Sequence, residues 1–157
     1  MASRRIEDLH PITQQKAREF LELAKKNGIE VLIYCTYRSP EEQGILYKQG
    51  RLREFGITVS ELNEERKKLG LYPLSEKEAN RIVTNARGWQ SYHQYGVAFD
   101  CVPLSGGKPD WSNKEAYKAL GQIAKEIGLE WGGNWKHFKE FPHFQDSETY
   151  QHIVKRR

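Results

Sequence analysis

Two histidines and an aspartate have the side chains of a metal centre, and two of them, His93 and Asp100, are spaced so that they can converge. His93 sits in Ser91-Tyr92-His93-Gln94-Tyr95-Gly96-Val97-Ala98-Phe99-Asp100. Gly96 permits a tight approach into the strand that carries Asp100, so the two side chains can converge. Asp100 lies between Phe99 and Cys101, in a segment that reads as at least half buried. An unpaired carboxylate there is costly. A zinc ion would remove that cost, since imidazole and carboxylate are both good ligands for it. The same spacing is met equally by an Asp100 on a solvated face and a His93 in an ordinary loop.

A second imidazole, His143, is flanked by Phe141 and Phe144, with Glu140 three residues upstream across Pro142. A catalytic zinc keeps three protein ligands and one position for water, whose pKa falls from about 15.7 toward about 7. A nearby carboxylate can take that water's proton and hand it to a leaving amine. In this scheme His93, Asp100 and His143 are the ligands and Glu140 is the base; a plain surface glutamate is the alternative for Glu140. Arg38, in Tyr37-Arg38-Ser39-Pro40, ends the strongest strand. There it can grip a carbonyl or carboxylate with its fork, or stabilise a tetrahedral oxyanion. Pairing with Glu41 or Glu42 is its structural alternative.

The elements that must position these residues can be read in outline. Pro11 and the spacing of Ala17, Phe20, Leu21 and Ala24 predict a first helix, stopped at Asn27-Gly28. Glu30–Tyr37 reads as a strand, and Ser39-Pro40 starts a short helix through Tyr47. Ser60 is expected to cap a charged helix, Ser75 another, and Ser112 a third that runs to Ile127 and stops at Gly128. Gly96–Val102 alternates as a strand, with Val97, Phe99 and Cys101 on one face and Asp100 on the other. Leu129–Trp131 and Pro142–Gln145 are short strands. The order lacks a regular βαβ alternation, so an α+β domain with a small antiparallel sheet flanked by helices is expected.

Composition narrows the class. At 157 residues the chain is one domain by length. Lys+Arg 25 against Asp+Glu 21 gives +4, with the charges mixed along the chain. No one-sided stripe or nucleic-acid motif accompanies that charge, so no nucleic-acid partner is expected. No apolar run approaches the ~18 residues of a membrane span, and none follows the N-terminus, so neither membrane insertion nor a signal peptide is expected. Two cysteines, Cys35 and Cys101, exclude a disulfide framework and a Cys-rich zinc module. Trp89, Trp111, Trp131 and Trp135 read mainly as core or core-rim residues, and Lys155-Arg156-Arg157 as a solvated tail.

Three blocks together resemble a known family. Ser91-x-His93-x-x-Gly96-x-Ala98-x-Asp100, then Trp131-Gly132-Gly133-x-Trp135-x-x-Phe138-x-Glu140-x-Pro142-His143-Phe144, are similar to zinc peptidases of the D-Ala-D-Ala carboxypeptidase and L-alanyl-D-glutamate endopeptidase type. Tyr37-Arg38-Ser39-x-x-Glu42-Gln43 and Val83-Thr84-Asn85-Ala86-Arg87-Gly88 resemble its front half. The resemblance implies the hedgehog/DD-peptidase fold in a single domain, residues 1–157. It implies one Zn2+ per chain on His93, Asp100 and His143, with Glu140 as catalytic base and Arg38 as substrate and oxyanion contact. Gln43 is implied as part of the substrate-binding wall.

Within the family the blocks look most like the L-alanyl-D-glutamate endopeptidases of phage endolysins and some autolysins, which act on peptidoglycan stem peptides. A monomer waiting in the cytoplasm for holin-type release to the cell wall is the matching expectation. A D,D-carboxypeptidase or dipeptidase of the same family, and a non-catalytic zinc-containing wall-binding domain, are the alternatives. Residues 51–82 are longer than in compact relatives and are expected to form an inserted helical lobe.

Overall fold

The site depends on how three strands line up, and their register follows from the alternation of apolar and polar residues. The computed structural model describes residues 1–155, and Arg156 and Arg157 of the basic tail lie outside the described residues. Strand β1 (Glu30–Cys35) pairs with β2 (Ala98–Ser105), which turns through Gly106-Gly107 into the short β3 (Lys108–Pro109). The other side of β2 pairs with β5 (His143–Gln145), which pairs in turn with β4 (Glu130–Trp131). Every pairing is antiparallel. The expected small antiparallel sheet is therefore present.

Asp100 is the cross-strand neighbour of Cys35 on one side and of His143 on the other. The three side chains form a row on one face of the sheet. The opposite face carries Phe99 and Phe144, whose rings stack 5.7 Å apart. Helix α1 (Pro11–Lys26) covers that face with Ala17, Phe20 and Ala24, and Phe20 meets both rings. Helix α6 (Lys114–Glu126) adds Tyr117, Leu120 and Ala124. Burying these apolar stripes supplies the main driving force for the sheet's geometry.

A second, smaller core lies across the chain. Helices α2 (Pro40–Lys48), α3 (Leu52–Phe55), α4 (Val59–Lys68) and α5 (Glu76–Ala79) follow β1. Leu52, Leu62, Leu74 and Ala79 are buried together, with Ile45 of α2 packed against them. The lobe closes where it opens: the Gly50 amide donates to the Ala79 carbonyl at 2.8 Å. Gly50 has φ +83°, and a Cβ there would stand 2.6 Å from the Ile82 nitrogen, so only glycine fits the junction. The Arg51 guanidinium stacks on Tyr47 and bonds the Tyr47 and Thr84 carbonyls.

Three local expectations need correction. Thr58, not Ser60, caps α4, in a capping box with Glu61. Asn113, not Ser112, caps α6, accepting from the Ala116 amide. In each case a neighbouring side chain of equal capping ability sits where the backbone turns. A last helix, α7 (Ser147–Lys155), was not anticipated; Asp146 caps it through the Thr149 amide. Among the tryptophans, Trp131 is buried as expected, but Trp89 and Trp111 are exposed.

Candidate metal centre and active site

Asp100 Oδ1 is where the sequence-predicted residues meet. His93 reaches it from the turn of 3-10 helix over Tyr92–Tyr95 that precedes β2; its Nε2 stands 3.3 Å away. Ser91 caps that turn, and Gly96 ends it in the left-handed conformation, which aims His93 back along the strand that follows. From β5, His143 Nδ1 stands 3.2 Å from the same oxygen. Both imidazoles are buried.

The outward nitrogens decide which inward atoms carry a lone pair. His93 Nδ1 lies 2.7 Å from the Thr36 carbonyl, an acceptor, so Nδ1 holds the proton and Nε2 faces Asp100 bare. His143 Nε2 lies 2.8 Å from Gln145 Oε1, so Nδ1 is bare. Two nitrogen lone pairs and a carboxylate oxygen therefore face one another, an arrangement that only a shared cation or added protons can relieve. Two imidazoles and one carboxylate form a zinc-type donor set. A tetrahedral ion with bonds of about 2.0–2.1 Å holds its ligand atoms about 3.3 Å apart, which matches the two separations to Asp100. At Asp100 the two separations fit such an ion.

The electrostatics agree with this crowding. Burial pushes the His93 pKa down, against the attraction of Asp100. Burial alone would raise Asp100, but the two histidines hold it well below the usual carboxylate range. For His143, burial is outweighed by Asp100, Glu140 and Gln145 acting together, and its pKa rises. Among the described residues, the side chains whose possible ligand atoms all lie close to one another are Cys35, His93 and Asp100, a set that does not include His143. Cys35 Sγ lies 3.9 Å from His93 Nδ1, the nitrogen already bound to Thr36. Burial pushes its thiol up to about 12, so it stays protonated beside Arg38.

Arg38 and Glu140 line the same cleft of about 1080 Å³ as His93, Asp100 and His143. Arg38 Nη1 donates to Gln43 Oε1 at 3.0 Å, and Nη2 contacts Cys35 Sγ at 3.4 Å. Its Nε is buried without a hydrogen-bond acceptor, with Glu42 Oε2 3.7 Å away. Glu140 is held by its backbone: its amide donates to the Gly132 carbonyl at 3.1 Å, and a Cβ on Gly132 would run into the Glu140 carbonyl oxygen. Burial raises the Glu140 carboxyl, partly offset by His143.

Gln43 does not form part of the cleft wall, which corrects that expectation. It is fully buried behind Arg38. Its Nε2 donates to Thr84 Oγ1 and the Ala86 carbonyl, while its Oε1 accepts from Arg38 and Gln94. With its amide fully used, Gln43 orients Arg38 instead of touching a ligand. Thr36 and Gln145, which set the two tautomers, were missed by the sequence reading. Gln145 had a signal, because it lies two residues beyond His143 and so shares its face of the strand.

Comparison with known proteins points in one direction. A family model described as D-alanyl-D-alanine carboxypeptidase matches residues 84–146, a span that holds His93, Asp100, Glu140 and His143 but not Arg38. The chain is 35% identical over 147 residues to the peptidoglycan L-alanyl-D-glutamate endopeptidase CwlK of Bacillus subtilis, covering 88% of this chain and 73% of that protein. It is 30% identical over 135 residues to the L-alanyl-D-glutamate peptidase of Listeria phage A118; the match covers 85% of this chain but only 36% of the relative. Among solved structures, the Serratia marcescens L-Ala D-Glu endopeptidase ChiX aligns with TM-score 0.54 at 22% identity, over 96% of this chain and 92% of that one. The vancomycin-resistance D,D-pentapeptidase VanY in complex with Zn(II) aligns with TM-score 0.56 at 14% identity, over 94% and 78%. At those identities the two structures bear on the fold alone.

Proposed function

Because the chain belongs to the family of D-alanyl-D-alanine carboxypeptidases and L-alanyl-D-glutamate endopeptidases, we propose that it is a zinc-dependent peptidoglycan hydrolase cleaving the L-alanyl-D-glutamate bond of stem peptides. The observation that carries this reading is the convergence of His93 Nε2 and His143 Nδ1 on one oxygen of Asp100, in a cleft that also holds Arg38 and Glu140. One Zn2+ per chain would be held by His93, Asp100 and His143; when bound it supplies Lewis acidity and a water of lowered pKa.

The rest of the chemistry belongs to the chain's own residues. Glu140, with its carboxyl raised by burial, accepts the proton of the attacking water. As the carbon–nitrogen bond breaks, the same carboxyl returns that proton to the departing amine. Products are a new carboxylate on the alanyl side and a free amine on the glutamyl side. Arg38 donates to the substrate carbonyl and to the oxyanion that develops on it. Gln43 keeps its fork in place. The reading takes the protein as a monomer. No helix of the described residues is long and apolar enough to cross a membrane, and the reading takes the protein as a lysin-type hydrolase that meets its substrate in the wall after release.

Digestion of purified muropeptides with and without a chelator, followed by mass spectrometry, tests this. Chelator-sensitive cleavage after L-alanine is the expected result. Loss of terminal D-alanine would instead make it a D,D-carboxypeptidase, the activity for which the matching family model is described. Binding without cleavage by the zinc-loaded protein would leave a wall-binding domain.

A further inference from the structure

Two buried side-chain donors lack a hydrogen-bond acceptor among the described residues: Arg38 Nε and Arg66 Nη1. Both residues line the same cleft. Arg38 is accounted for by the reaction; Arg66 is not. It projects from α4 in the 51–82 lobe and is 3% exposed. Its Nε donates to the Tyr72 carbonyl at 2.8 Å, and the Tyr72 ring lies over the guanidinium at 5.0 Å. No carboxylate of the described residues forms an ion pair with it; the nearby Glu42 is engaged with Arg38.

Holding the Leu71–Tyr72 turn requires one donor, and Nε provides it. A buried guanidinium with a donor left unused and no ion-pair partner is costly, and the planar fork is matched to a carboxylate. Tyr72 is 63% exposed, so the ring over Arg66 is free to yield to a ligand. We infer that Arg66 is a specificity residue that receives a free carboxylate of the peptide substrate on the lobe side of the scissile amide. This rests on the reading of the protein as an L-alanyl-D-glutamate hydrolase. A glutamyl residue has two carboxyl groups, and one stays free when the peptide continues through the other.

The test uses two peptides that differ only there: an L-alanyl-D-glutamyl peptide extended through one glutamyl carboxyl, with the other free or amidated. The zinc-loaded protein favours the free acid in kcat/KM by about ten- to a hundredfold, the range of a charged hydrogen bond. In Arg66→Gln that ratio falls to near one, chiefly through KM; Arg66→Lys keeps the charge without the fork and retains part of it. Calorimetric binding of both peptides to wild type and Arg66→Gln shows the same loss of preference, whether or not cleavage occurs. Equal use of both peptides by wild type, or an unchanged ratio in Arg66→Gln, overturns the inference. A lower melting temperature with an unchanged ratio assigns Arg66 to holding the turn, and also overturns it. Failure of wild type to cleave either peptide counts against the hydrolase reading instead, and the binding preference then decides Arg66 by itself.

Discussion

In the proposed mechanism Glu140 moves the proton and His93 holds the metal, so their variants should fail differently. Glu140→Gln is expected to lower kcat by about a thousandfold, the scale of a lost general base, while elemental analysis still finds one zinc per chain. His93→Ala should lose the zinc itself. One step further out, Gln145→Leu removes the acceptor that fixes the His143 tautomer. Zinc affinity, measured by chelator competition, should fall about 10–100-fold with the fold intact. The residues proposed as ligands and base stand near local markers in the sequence, His93 and Asp100 around Gly96, Glu140 and His143 around Pro142, but it was the family resemblance that implied their roles. The part Gln43 plays was not legible there, since a buried amide gains its role from partners distant in the chain, here Thr84 and Ala86.

At the scale of elements, the loop from β4 to β5 is what aims Glu140. Trp131 Nε1 donates to the Phe141 carbonyl at 2.7 Å, and Gly132 receives the Glu140 backbone where no side chain fits. Gly132→Ala must push that backbone away. It should cost about 1–3 kcal/mol in stability by overpacking, and it should lower turnover at least tenfold with zinc retained, read from parallel denaturation, metal and rate measurements. The strands and the major helices were readable from alternation and caps, and Asp100 does face away from Phe99 as that alternation requires. Caps were read one or two residues off where two good cappers stand in a row, at Thr58 against Ser60 and Asn113 against Ser112. Helix α7 escaped because its cap, Asp146, is specified by contacts with α1 as much as by its own neighbours.

That same Asp146 ties the molecule together. Lys16 Nζ lies 2.8 Å from Oδ1, and the hydroxyls of Thr13 and Thr149 both donate to Oδ2, so α1, β5 and α7 share one carboxylate. Burial alone would raise its pKa, but Lys16 and the two threonines hold it below the ordinary value. A depressed carboxyl stabilises the fold above its unfolded pKa of about 3.9 and loses that contribution as pH falls through the folded value. Asp146→Asn should therefore destabilise by about 3 kcal/mol at pH 7, and the gap from wild type should close below about pH 4 in urea titrations. At this scale the contact of Gly50 with Ile82 has a further consequence. A segment whose two ends meet can lengthen or shorten between them at little cost to the strands it springs from. Residues added or removed between Gly50 and Ile82 should therefore leave the row of Cys35, Asp100 and His143 in register.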